Sequence, residues 1–438
     1  MRMAIFCLFA ILLAGCKHTP PLTEGDDFCE LKYYVLEQPL PGEAELTSIF
    51  KGSDLPPRDM LMLSGGSQNG AFGAGFLEGW KTHSGMPDFS LVTGVSTGAL
   101  LSTGAFIGRP EIMTRNYTID AESDLLDSHI GKKGLDDGLG SRALIAAMRE
   151  GAISDLAPLR RKIVEILGDE TILADVASRY DPDPGKGAYL LVGATDVDLG
   201  RAVAFDLTEL AHRYVEARAE GRAGEADRLK GCYADALVAS SIVPPGAKPV
   251  FIDNRMYIDG GVRYAVFDDR VREVIETASP RIKMMGARSP RLFIILNGSG
   301  DTKVQCGKVD EAHCTPEHNP VGQHEDWDLL SLALRSVDLL TGQVKRLSVN
   351  RVETRGQDLS GDVYFARIRS EELATRPYAI PDFDGERSCR DWEALDDAHD
   401  RPIEFHKRYM RCLIAYGRDR AGRADWNLQP KRAVLADR

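Results

Sequence analysis

Residues 89–106 run FSLVTGVSTGALLSTGAF. Phe89 to Val95 is apolar and short, as a buried strand requires, and Thr97 to Phe106 is a run of small and apolar residues that predicts a helix. Between them lies Gly94-Val95-Ser96-Thr97-Gly98, a G-x-S-x-G motif. In that context the glycines permit a sharp strand-to-helix turn that presents the Ser96 hydroxyl. The helix start behind it brings backbone N–H groups and a positive dipole end to where negative charge would develop. Taken alone, the motif fits equally well a tight turn in which Ser96 only caps the helix.

Two further segments have the same character. Asp59 to Leu63 reads as a buried strand and Ala71 to Trp80 as a helix, with Ser64-Gly65-Gly66-Ser67-Gln68-Asn69-Gly70 between them. Successive glycines expose N–H groups that can converge on an oxyanion. No G-x-x-x-x-G-K-[ST] is present, and the spacing of Gly70, Gly73 and Gly75 fails G-x-G-x-x-G, which argues against nucleotide binding. Downstream, Tyr257-Ile258-Asp259-Gly260-Gly261 places an aspartate at a strand end, a pattern that by itself describes a turn aspartate capping its own N–H groups.

More strands are expected at Tyr189–Ala194, Ala202–Phe205, Met256–Ile258 and Leu292–Leu296. Helical spacing occurs at Leu159, Ile163 and Ile166, and again at Leu329, Leu332 and Leu339, where it predicts a core-facing helix. Strands alternating with helices imply an α/β fold with a mainly parallel central sheet covered on both faces.

The three motifs together, in this order, resemble the patatin-like phospholipase family, with Ala194-Thr195-Asp196, Gly200-Arg201 and Ala239-Ser240-Ser241-Ile242-Val243-Pro244 as supporting stretches. The resemblance spans roughly residues 58–300. It implies a three-layer α/β/α sandwich and a Ser–Asp dyad without histidine, in which Ser96 is the nucleophile and Asp259 the proton acceptor. It further implies an oxyanion hole from Gly65, Gly66 and Ser67, structural support from Gly94, Gly98, Gly260 and Gly261, and no metal or cofactor. Two positions depart from the family pattern: Ser67 stands where a third glycine is usual, and Asn69 where Lys or Arg is usual. The second removes a cation that would neutralise a lipid phosphate, which weakens the expectation of a phospholipid and leaves neutral acyl esters open as substrates. A Ser-Asp-His triad is the competing mechanism, since His313, His318, His324, His399 and His406 all follow Asp259.

The N-terminus reads as an address. Met1-Arg2-Met3 precedes an apolar stretch from Ala4 to Ala14, too short to span a bilayer. Leu13-Ala14-Gly15-Cys16 resembles a bacterial lipoprotein box, which implies a signal peptide over residues 1–15, a lipidated Cys16 and membrane anchorage. Lys17 after the cysteine is similar to the outer-membrane sorting pattern of Gram-negative bacteria, and implies the bacterial cell envelope as the location. Export would leave Cys29, Cys232, Cys306, Cys314, Cys389 and Cys412 in an oxidising compartment. Six cysteines allow 15 pairings, with Cys306–Cys314 the best local candidate. Metal binding by Cys314 and the nearby histidines lacks a ligand spacing to support it.

The expected organisation is a tether over residues 16–57, rich in proline, a hydrolase domain over 58–345, and a charged C-terminal extension over 346–438. Of the 438 residues, 43% are hydrophobic and 27% charged, and 66 acidic against 54 basic residues give a net charge of −12. That balance argues against a nucleic-acid surface. The function expected is a membrane-anchored lipid acyl hydrolase of phospholipase A or lysophospholipase type, acting on membrane lipid, with residues 115–150 as a candidate lid. The alternatives are a non-catalytic lipid-binding envelope lipoprotein on the same fold and a small-ester esterase.

Overall fold

The computed structural model describes residues 22–128, 152–298, 329–355 and 362–428, apart from a few positions within those stretches. The signal peptide and Cys16, the 129–150 part of the candidate lid, Cys306, Cys314, His313, His318 and His324 lie outside the described residues.

Two faces of each central strand carry different apolar sets, and this fixes the layers. In β2 (Met60–Leu63), with β1 being Tyr33–Val35, Leu61 and Leu63 enter one core and Met60 and Met62 the other. The strands β3 (Leu91–Val95), β4 (Tyr189–Asp196), β5 (Arg201–Asp206), β6 (Val250–Ile252), β7 (Arg255–Asp259) and β8 (Leu292–Leu296) follow, then β9 (Val363–Arg367) and β10 (Asn427–Leu428). Their order is β1-β5-β4-β3-β2-β8-β9-β10, with the β6–β7 hairpin joined to the end of β4. The five strands from β4 to β9 run parallel, and β5, β1, β7 and β10 are antiparallel to their neighbours. Continuous apolar strands buried on both faces are what a parallel sheet demands. The result is the three-layer α/β/α sandwich expected. Parallel strands also point their C-terminal ends the same way, so the turns after β2 and β3 emerge side by side.

The tether expectation fails over residues 22–57. Leu36, Leu46, Ile49 and Phe50 are buried in the second core. β1 pairs with β5, Arg201 of β5 grips Glu43 through both terminal guanidinium nitrogens, and a disulfide joins Cys29 to Cys232. The prolines shape this arm without freeing it.

The extension expectation fails as well. β9 and β10 complete the sheet, and the helix Lys407–Gly422 packs against the helix Gly70–Ser84 that follows the glycine-rich loop. The approach is so close that a Cβ on Gly75 would collide with the Ile414 carbonyl, and one on Gly417 with that of Phe72. Trp426 packs on Trp80 with centroids 4.8 Å apart, and Cys389–Cys412 staples this region internally. Residues 362–428 are therefore part of the domain.

The helix Leu329–Arg355 corrects a third expectation. Leu332, Leu339, Leu340 and Leu347 are exposed, Leu340 at 68%, so the leucine stripe does not face a core among the described residues. Periodicity reveals that a stripe exists and not what lies opposite it. Among the described residues, no helix is long and apolar enough to cross a membrane.

The Cys29–Cys232 bridge closes a loop with a sequence separation of 203. Replacing both cysteines by alanine is expected to lower unfolding free energy by about 2–5 kcal/mol, measured by urea denaturation under non-reducing conditions. An unchanged midpoint would mean that the arm is held by its apolar contacts alone.

Candidate active site

Ser96 sits at the turn between β3 and the helix Thr97–Phe106 with φ 55° and ψ −127°, a conformation that non-glycine residues rarely adopt. Neighbouring glycines make room for it. A Cβ on Gly94 would press into the Gly98 backbone, and one on Gly98 into the Leu63 carbonyl. The Ser96 N–H donates to Ser240 Oγ at 2.9 Å, and Ser240 Oγ donates to the Gly193 carbonyl at 2.5 Å. Ser240 thus bridges the turn to β4. The Ser96 side chain makes no helix-capping bond, which removes the capping alternative.

Instead Ser96 and Asp259 line the same cavity, with the Ser96 side chain close enough to the Asp259 carboxylate to favour its ionised form. Asp259 ends β7 and is fixed from every side. Its N–H donates to the Ile242 carbonyl at 2.7 Å, its carbonyl accepts from Thr195 Oγ1 at 3.0 Å, and its Oδ1 accepts from the Gly261 N–H at 2.6 Å. The last bond is the turn cap that the sequence also allowed, so one carboxylate serves both purposes. Gly260 is required beside it, since a Cβ there would meet the Gly193 carbonyl oxygen at 2.5 Å. Burial pushes the Asp259 carboxyl up to about 6, against the lowering effect of the bonds from Ser96 and Gly261, and the negative charge of Glu404 adds to the rise.

The glycine-rich loop closes the arrangement. A Cβ on Gly65 would come within 2.9 Å of Ser96 Cβ, and one on Gly66 would collide with the Asn297 carbonyl. The loop is pinned from behind by Asn297, whose Nδ2 donates to Ser64 O at 2.6 Å. Ser67 has φ 50°, in the left-handed region that favours glycine. Among the described residues, the N–H groups of Gly65, Gly66 and Ser67 have no intramolecular acceptor, so they can serve an incoming oxygen.

The two departures in this loop have partners far along the chain. Ser67 Oγ donates to Glu404, and Tyr409 Oη donates to Asn69 Oδ1 at 3.1 Å. Between them, Gln68 Oε1 accepts from the His406 N–H at 2.9 Å. The segment that supplies these partners is anchored by Glu122, whose carboxylate accepts the N–H groups of Ile403, Glu404 and Phe405. His406 approaches Gln68 and Asp397 through its ring nitrogens, not Ser96. His399 bonds the carbonyl of its own helix at Leu395. The residue that meets Ser96 is Asp259. Ser240, Glu122, Glu404 and His406 carry no local motif that would have marked them in advance.

Ser96, Asp259, Gly65, Gly66 and Ser67 line one cavity of about 880 Å³. Its remaining wall is largely apolar, with Leu100, Met113, Leu125, Leu126, Leu156 and Leu159 among its residues. A cavity of that size and lining suits a molecule with a long apolar portion and one polar group.

Residues 61–267 match the family model of the Patatin-like phospholipase domain. No curated protein matches the chain.

Two measurements check the site as a structure. Asp259 holds its proton more tightly folded than unfolded, so its contribution to stability falls as pH rises from about 4 to about 6 and stays unfavourable above. Asp259→Asn is therefore expected to stabilise the protein at pH 7 by up to about 3 kcal/mol, with the difference closing near pH 4, as read by urea denaturation at both pH values. Ser240→Ala removes the acceptor of the Ser96 N–H and a donor to the Gly193 carbonyl and is expected to destabilise by about 1–3 kcal/mol. Wild-type stability in Ser240→Ala would remove the bridging role.

Proposed function

The chain belongs to the patatin-like phospholipase family through residues 61–267, whose members are generally serine lipid hydrolases, and from that premise we propose that it is a lipid acyl hydrolase of phospholipase A or lysophospholipase type. The observation that carries the proposal is the strained Ser96 beside the buried Asp259 carboxylate at the wall of a large apolar cavity.

Ser96 Oγ attacks the ester carbonyl as Asp259 takes its proton. The carbonyl oxygen becomes an oxyanion, held by the N–H groups of Gly65, Gly66 and Ser67. Collapse expels the alcohol, which receives the proton from Asp259. Water, deprotonated by the same carboxylate, then attacks the acyl-serine, and collapse releases a fatty acid as Asp259 returns the proton to Ser96 Oγ. With its carboxyl near 6, Asp259 is ionised at neutral pH yet basic enough to accept a proton, a balance that favours general-base work. The apolar wall takes the acyl chain.

We further propose that Cys16 anchors the protein by lipidation to the bacterial envelope, most simply at the outer membrane, with lipid substrate reached from that bilayer. The described part of the arm supports this reading in one respect: its disulfide to Cys232 suits an oxidising compartment.

The direct test is acyl hydrolysis by detergent-solubilised protein on a phospholipid, a lysophospholipid and a short p-nitrophenyl ester. Ser96→Ala and Asp259→Asn are each expected to lose about three orders of magnitude or more in kcat. Wild-type kcat/KM is expected to fall about tenfold per pH unit below about pH 6, because only the ionised Asp259 accepts the proton. Wild type indistinguishable from Ser96→Ala on every ester, and inert to fluorophosphonate, would leave the fold as a lipid-binding platform. Activity confined to the p-nitrophenyl ester would favour a small-ester esterase.

A further inference from the structure

The cavity contains a cation that the Ser–Asp mechanism does not use. Lys345 projects into it from the helix Leu329–Arg355, on the same face as Val337 and Thr341, which also line it. Its Nζ donates to the Asn297 carbonyl at 3.2 Å. That carbonyl is the one against which Gly66 packs, so the ammonium lies one carbonyl away from the oxyanion loop. Among the described residues, no carboxylate pairs with Lys345. Arg390, another cation of the cavity wall, is held by Glu393 at 2.8 Å.

The position has a chemical logic. At Asn69, where the family usually has Lys or Arg, the side chain is engaged with Tyr409. The loop itself therefore offers a substrate phosphate no positive charge. We infer that Lys345 replaces it as the phosphate subsite of this cavity, and that the substrate is a glycerophospholipid or lysophospholipid, not a neutral acylglycerol. The inference rests on the hydrolase reading and specifies its substrate class.

Burial is the one cause that lowers the Lys345 ammonium, to about 8, so it remains about nine-tenths charged at pH 7. A half-buried charge whose partner among the described residues is a carbonyl is incompletely compensated. A phosphate oxygen would complete it as a charge-assisted hydrogen bond. Lys345 comes from outside residues 61–267, so this subsite would belong to the chain's own elaboration of the domain.

The test uses the full chain and two readouts. The first is kcat/KM on a phospholipid and on a diacylglycerol of the same acyl chains, each in mixed micelles. Lys345→Met is expected to lower the phospholipid-to-diacylglycerol ratio roughly tenfold, chiefly through KM, and Lys345→Arg to restore most of it. Equal losses on both substrates would assign Lys345 to the oxyanion or to folding and overturn the inference, as would an unchanged ratio. The second readout needs no turnover. In a Ser96→Ala background, calorimetric titration with a monomeric lysophospholipid is expected to weaken roughly tenfold on adding Lys345→Met, while titration with the matching monoacylglycerol does not. If wild type hydrolyses no ester at all, the hydrolase reading fails, and this titration still decides the phosphate subsite. Equal affinities with and without Lys345 would end it.

Discussion

Ser96 is held in a backbone conformation that costs of order 1–3 kcal/mol, and nearly every feature around it exists to maintain that conformation. The neighbouring turn residues are glycines because a Cβ at Gly94 or Gly98 would occupy space already taken by backbone. Ser240 accepts the N–H that the turn would otherwise strand and ties it to the carbonyl of Gly193. Asp259 reaches Ser96 only because its own strand pairs with the end of β4, with Ala194 opposite Asp259. The sheet thus supplies the rigidity that holds Ser96 in its strained turn.

A second dependence runs through the C-terminal part of the chain. Ser67, Gln68 and Asn69 form a contiguous set, and each meets a residue between 404 and 409. The departures from the family pattern are therefore not erosion of the loop. Ser67 accepts a left-handed conformation that glycine would adopt freely, and its hydroxyl gains Glu404 in return. Glu122 gathers three consecutive N–H groups of the bracing segment on one carboxylate, which explains how an irregular stretch keeps its place.

Much of this fold was legible in the sequence, for specific reasons. β2, β3, β4 and β8 are unbroken apolar runs next to glycine-rich turns, and the helix Thr97–Phe106 begins where the small residues begin. The partnership of Ser96 with Asp259 was expected through a family resemblance, because a separation of 163 positions leaves no local trace of it. The N-terminal arm was misread because Leu36, Leu46, Ile49 and Phe50 are spread among prolines with no period to betray them. The brace at 404–409 was invisible for a different reason. Hydrogen bonds across 337 or more residues depend on topology alone, and short polar segments look alike whether or not they are docked. The leucines of the helix Leu329–Arg355 carried a genuine signal, but a stripe does not name its partner.

The brace also sets an order of events. Ser67 and Ser96 are among the first residues of the domain to be made, and Glu404 follows Ser67 by 337 positions. At roughly 10 residues per second, synthesis of that interval takes about half a minute. Throughout it, the nascent chain holds Ser96 and a glycine-rich loop without the segment that secures the loop, and without the helix that fills the groove at Gly75. The candidate site is completed only when residues 404–409 have been made. A site built in this order is kept incomplete by the topology of the chain until the helix Lys407–Gly422 is in place.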